Sequence, residues 1–123
     1  MARYPGLTLR ILVDGRAVIG PGKARLVALI AATGSISAAA REMGMSYRRA
    51  WLLVEEVNAS FDEPVVVAAA GGKRGGGTVV TAFGRRLVVR FTAMENRASA
   101  AIAADLRHFD ALARKARRSP RKT

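Results

Sequence analysis

The 123-residue chain is predicted to be mainly α-helical with a small amount of β structure, on three observations. Two helical segments are separated by Gly44, and each has a serine at its start. Two β-branched runs, Val65–Ala68 and Thr78–Thr81, bracket a glycine-rich basic loop. From Ala82 to about Lys115 there is no proline, and the one glycine is Gly84. In chain order these features read as a helix-turn-helix, a wing and a long C-terminal dimerisation helix. The expected organisation is a winged helix-turn-helix domain over residues 1–81, with a β ribbon at 7–19 and the wing at 65–81. The long helix follows at 82–115, then a basic tail at 116–123 that is expected to be disordered.

Leu7–Val13 begins with alternating apolar and polar residues, and Asp14-Gly15 offers a hairpin turn into Arg16–Ile19. Gly20-Pro21-Gly22 breaks the ribbon. Leu26, Leu29 and Ile30 recur at helical spacing, and Gly34 ends that helix. Ser37 is the expected N-cap of a short helix, Ala38–Met43, which Gly44 stops. Ser46 caps the next helix, which carries Tyr47, Ala50, Trp51, Val54 and Val57 along one side. Trp51 is expected in the core. Ala39 and Ala40 are small enough for the two helices to approach closely.

In the wing, Ala70–Gly77 contributes Lys73 and Arg74 to a glycine-flanked tip, where they would follow a phosphate backbone. A nucleotide-binding loop is excluded, because Lys73 is followed by Arg74 rather than Ser or Thr. In the last segment Phe83, Leu87, Phe91, Met94, Ala98 and Ile102 recur in steps of three or four. The segment reads as one helix of about 50 Å, or two with a bend. The apolar series is longer than a small winged domain needs for its own core, so a homodimer with these six residues at its interface is expected.

Charge narrows the function. Lys and Arg number 21 against 9 Asp and Glu, a net charge of +12, while 50% of the residues are hydrophobic. A folded domain this basic points to a polyanionic partner, nucleic acid first. Six basic residues and no acid lie in Ala111–Thr123, but the rest of the chain stays positive, with a second acid-free zone from Pro64 to Met94. There is no cysteine and one histidine, His108, so thiolate metal sites are excluded and His108 is read as a surface or interface residue. The acids are scattered, with nothing resembling a catalytic pair. No enzyme activity, catalytic residue, metal or cofactor is expected. No stretch is long and apolar enough for a membrane-spanning helix, and the N-terminus does not read as a secretory signal. A cytoplasmic protein without membrane partners is expected.

Four segments carry a family resemblance: Thr33–Ala40, Ser46-Tyr47-Arg48-Arg49-Ala50-Trp51, Gly71–Gly77, and Thr81-Ala82-Phe83-Gly84-Arg85-Arg86-Leu87. Together they resemble the N-terminal DNA-binding domain of the molybdate-dependent transcriptional regulators of bacteria (ModE type). More distantly they are similar to LysR-type winged helices. The resemblance runs from about residue 7 to about residue 100. It implies a winged helix-turn-helix that dimerises through its terminal helices on a palindromic operator. It places Ser46, Tyr47 and Arg48 at the DNA-facing start of the recognition helix, with Ala50 and Trp51 toward the core. Full-length members continue into a molybdate-binding region, whereas this chain ends at Thr123, so an oxyanion effector is not expected. Arg49, Leu52 and Leu53 are positions where family behaviour does not carry over.

The DNA-binding candidates are therefore Ser37, Ser46, Tyr47, Arg48, Arg49, Lys73 and Arg74. Arg48 is suited to fork onto guanine O6 and N7, and Arg49 to do the same or to bind phosphate. Tyr47 either donates its hydroxyl to a phosphate or packs half-buried. The expected function is a dimeric, sequence-specific transcriptional regulator on double-stranded DNA. The alternatives are an architectural protein that binds DNA by charge alone and, more weakly, a protein-interaction module that docks through the long helix.

Overall fold

The computed structural model describes residues 6–69 and 77–118, without the side chains of 114–118. The chain forms two compact units. One is Leu9–Phe91, and the other comprises the residues from Thr92 onward with those before Leu9.

In the first unit, strands β1 (Ile11–Val13) and β2 (Arg16–Ile19) pair antiparallel, with Val13 opposite Arg16 and an irregularity between Ile11 and Leu12. Asp14 and Gly15 both have positive φ, 52° and 79°, as the two-residue turn that matches strand twist requires. Helix α1 (Pro21–Thr33) begins at the proline. The expected breaker is thus also a starter: a proline at the first helical position lacks an N–H that would be unpaired there anyway. Gly34 closes the helix in the left-handed conformation at φ 72°.

Helix α2 (Ile36–Met43) starts earlier than the sequence suggests. Its cap is Ser35, whose Oγ accepts from the backbone N–H of Ala38 at 2.9 Å. Ser37 is an exposed residue inside the helix, not its cap. Either serine satisfies the cap chemistry; the difference is that Ile36 is buried in the core, which pulls it into the first helical turn. Gly44 ends α2 at φ 69°. Its N–H bonds the Arg41 carbonyl and the Met45 N–H bonds the Ala40 carbonyl, the paired closure that lets a helix stop and turn sharply. Helix α3 (Tyr47–Ala59) follows at once.

Strands β3 (Val66–Ala68) and β4 (Thr78–Val80) pair antiparallel with Val66 opposite Val80. The tip between them, with Lys73 and Arg74, lies outside the described residues. Helix α4 (Ala82–Ala101) follows. The main core gathers Leu26, Val27 and Ile30 of α1, Ala39 and Ala40 of α2, Ala50, Val54 and Val57 of α3, and Val65, Val66 and Val80 at the wing. A smaller cluster joins Ile19, Ala24 and Phe91, with Leu9, Ile11, Val18 and Leu87 against it.

That packing removes Phe91 from the expected dimer series and gives Phe83 and Leu87 partners within the unit. Phe91 is 3% exposed within its own unit. Leu87 packs against both clusters, and Phe83 packs on the main one, its ring edge-on to Phe61 at 5.9 Å. The β ribbon and α1 offer these side chains a local cover that periodicity in one helix does not reveal. Met94, Ala98 and Ile102 remain.

In the second unit α4 runs on to Ala101, and α5 (Ala103–Arg118) continues it past Ile102. Bonds from Ile102 N to Ala98 O and from Leu106 N to Ile102 O bridge the junction, where Ile102 forms a turn between the two helices. Helix α5 extends three residues into the segment expected to be tail, because no glycine or proline intervenes before Pro120. None of this unit's described side chains is buried, and Ile102, Phe109 and Leu112 are exposed.

Candidate nucleic-acid interface

Helix α3 is the element the turn at Gly44 presents. Ser46 is extended, and its Oγ accepts from the Arg49 N–H at 3.1 Å. That bond occupies one of the unpaired amides of the first turn. The remaining amides and the positive end of the helix dipole favour an anion. Tyr47, Arg48 and Arg49 are all exposed there, Tyr47 at 54%. Among the described residues, the one ion pair that involves α3 is Lys23 with Glu56 at 3.2 Å, so both arginines are unpaired.

Trp51 does not face the core. It is 42% exposed, whereas Ala50 next to it is fully buried. At about 100° per residue, Ala50, Val54 and Val57 form one stripe, and Trp51 stands a quarter turn away from Ala50. Ala50 belongs to the same core cluster as Ala39 and Ala40 of α2. An indole would not fit where three alanines meet. Tyr47, four residues before Trp51, shares its flank.

The wing is tied to this helix by a residue that pattern reading missed. Asn58, near the end of α3, accepts from the N–H groups of Val65 and Val66 at 2.8 and 3.0 Å. Its amide nitrogen donates to the Val66 carbonyl at 2.9 Å. The only signal in the sequence was a polar residue beside the apolar stripe. Two further anchors hold the wing base. Thr78 N–H bonds the Gly34 carbonyl at 3.0 Å, and Thr81 N–H bonds the Val65 carbonyl at 2.9 Å. Thr81 also caps α4, accepting from the Gly84 N–H at 2.9 Å. Glycine is required at 84, because a Cβ there would come within 2.6 Å of the Val65 carbonyl oxygen. Arg85 and Arg86 are exposed on the first turns of α4, just past the wing.

Of the candidates, Ser46, Tyr47, Arg48 and Arg49 thus lie together on one helix end, Ser37 stands on α2, and Lys73 and Arg74 fall outside the described residues. No group of three or more metal-ligating side chains occurs among the described residues. No described helix is long and apolar enough to cross a membrane.

No protein-family model matches the chain. It is 46% identical over 77 residues to the molybdenum-pterin-binding protein MopB of Rhodobacter capsulatus, covering 63% of this chain and 28% of that protein. It is 40% identical over 71 residues to the molybdenum transport protein ModE of Azotobacter vinelandii, covering 58% and 26%. It is 37% identical over 82 residues to the DNA-binding transcriptional dual regulator ModE of Escherichia coli K12, covering 67% and 31%. Over that stretch the chain is similar to ModE-type proteins. It spans less than a third of the curated relatives it matches. The ModE-type resemblance read from the four sequence segments is thereby supported, and the mainly helical fold with two small sheets agrees with it.

Proposed function

We propose that this chain is a sequence-specific DNA-binding transcriptional regulator that acts as a dimer. The observation that carries the reading is the placement of Arg48. It is exposed and unpaired among the described residues, and lies in the first turn of a serine-capped helix that Asn58 ties to the wing. The printed description of the Escherichia coli relative as a DNA-binding regulator supports it. Arg48 forks onto a guanine edge in the major groove, Tyr47 and Arg49 hold phosphates, and Lys73 and Arg74 follow the backbone from the wing. No catalytic step is proposed.

The second copy covers the apolar stripe of the terminal helices. Met94, Ala98, Ile102, Leu106 and Phe109 follow one another at helical spacing, and Phe109 is 68% exposed. A twofold pairing buries the stripe of both copies and joins two reading helices in one symmetric dimer, which calls for a palindromic operator. Molybdate is not proposed as an effector of this stretch. Every arginine whose side chain is described is exposed, whereas an oxyanion site needs sheltered, convergent donors.

The test compares selected and random DNA. Arg48→Ala is expected to weaken the selected site by about 1–3 kcal/mol and to relax one base position. Lys73→Ala or Arg74→Ala is expected to weaken all sequences alike and to flatten the salt slope by about one unit. Equal losses on both DNAs for Arg48→Ala would favour an architectural protein that binds by charge alone.

A further inference from the structure

Two adjacent leucines on α3 have opposite environments. Leu53 packs against the main core, while Leu52 is 42% exposed. Both flanks of the helix are already engaged by its own unit. Asn58 holds the wing strand on one side, and Glu56 pairs with Lys23 of α1 on the other. Between these flanks runs a ridge of exposed residues. At about 100° per residue, Arg48 and Leu52 lie within about 30° of the direction opposite the buried stripe of Ala50, Val54 and Val57. They are four residues apart, so the two side chains are neighbours on that ridge. The next ridge residue, Glu55, is an exposed acid, which marks where contact with an anionic surface ends.

We propose that Leu52 is a specificity-determining residue that reads the C5-methyl group of a thymine in the major groove, one helical turn along from Arg48. The inference rests on the DNA-reading role proposed above for α3. In the major groove the only apolar feature of a base edge is that methyl group, and it distinguishes A·T from T·A and from both G·C orientations. A branched apolar side chain beside a guanine-reading arginine therefore specifies a thymine about one base step away from that guanine. Leu52 loses no hydrogen bond on entering the groove, and a carboxylate or amide at this position would read a different base.

The experiment starts from a duplex selected out of a random library by the unaltered chain. Each thymine of the half-site is then replaced in turn by deoxyuridine, which removes only the methyl group. One replacement is expected to weaken binding about fourfold, the worth of one buried methyl of about 0.8 kcal/mol, as read by anisotropy of a labelled duplex. Leu52→Ala is expected to bind the thymine and deoxyuridine duplexes equally, with unchanged affinity for random DNA. Its melting temperature should match that of the unaltered chain, since the side chain is outside the core. Wild-type indifference to every replacement, or a methyl effect that persists in Leu52→Ala, overturns the assignment while leaving the regulator reading intact. A changed sedimentation mass for Leu52→Ala with thymine sensitivity retained also overturns it and places Leu52 at a protein interface. Failure of the library to enrich any sequence refutes the regulator reading itself, and this inference with it.

Discussion

Removing the Asn58 side chain should loosen the wing from α3 and destabilise the whole first unit. Asn58→Ala deletes three hydrogen bonds of 2.8–3.0 Å. It strands the N–H groups of Val65 and Val66, two residues that are buried. A buried amide left without a partner costs about 1–3 kcal/mol. Asn58 itself is half-buried, so water entering the space it vacates recovers part of that, and a net loss of about 3 kcal/mol is expected. For a domain of this size each kcal/mol shifts the melting temperature by about 4–8 °C, which gives a fall of about 12–24 °C. Asn58→Asp is the informative companion. It keeps an acceptor for both amides but sets a carboxylate oxygen against the Val66 carbonyl where the donor was, so its loss separates the two retained amide bonds from the donated one. Thermal and urea melts followed by far-ultraviolet circular dichroism measure both. A loss under about 1 kcal/mol for Asn58→Ala would refute the claim that these amide bonds hold the wing.

Three further outcomes are expected. Gly84→Ala would ordinarily favour a helix by up to about 1 kcal/mol, but the new Cβ meets the Val65 carbonyl oxygen at 2.6 Å and Val80 Cγ1 at 2.8 Å. It should therefore destabilise by about 1–3 kcal/mol, and a raised melting temperature would contradict the close approach. Ser35→Ala should cost about 1 kcal/mol through loss of the α2 cap, whereas Ser37→Ala should stay within about 0.5 kcal/mol of the parent; the reverse order in chemical denaturation would restore Ser37 as the cap. Ile102→Glu places a charge on the proposed seam in both copies, so sedimentation should show a monomer with its winged unit still folded. A native chain that sediments as a monomer at tens of micromolar with full operator affinity would refute the dimer.

The elements were legible because their signals are local. Asp14-Gly15, Gly34 and Gly44 act through their own backbone and Ser46 through a side chain that reaches only three residues on, and all five residues do in the structure what their chemistry suggests. The errors arose where a distant partner decides. Trp51 looked like core because aromatic residues usually are, but the close meeting of Ala50 with α2 leaves it no room. Phe91 looked like a dimer contact because its helix alone could not show the β ribbon that covers it. Ser35 and Ser37 are equivalent as caps until Ile36 is known to be buried. Asn58 gave almost no signal, since its partners Val65 and Val66 are set by tertiary packing.

The anchoring of the wing base bears on how the unit melts. A two-stranded hairpin has little stability by itself in water. Here its base is fastened at three places: to α3 through Asn58, to the end of α1 through the Gly34 carbonyl, and to the start of α4 through Thr81. Opening the base therefore breaks contacts with three helices at once, and the hairpin has no inexpensive local route to unfolding. The amide protons of Val65, Val66 and Thr78 should exchange with solvent only as fast as the bundle unfolds. Helix α3 and the wing base then behave as one cooperative body with a fixed geometry.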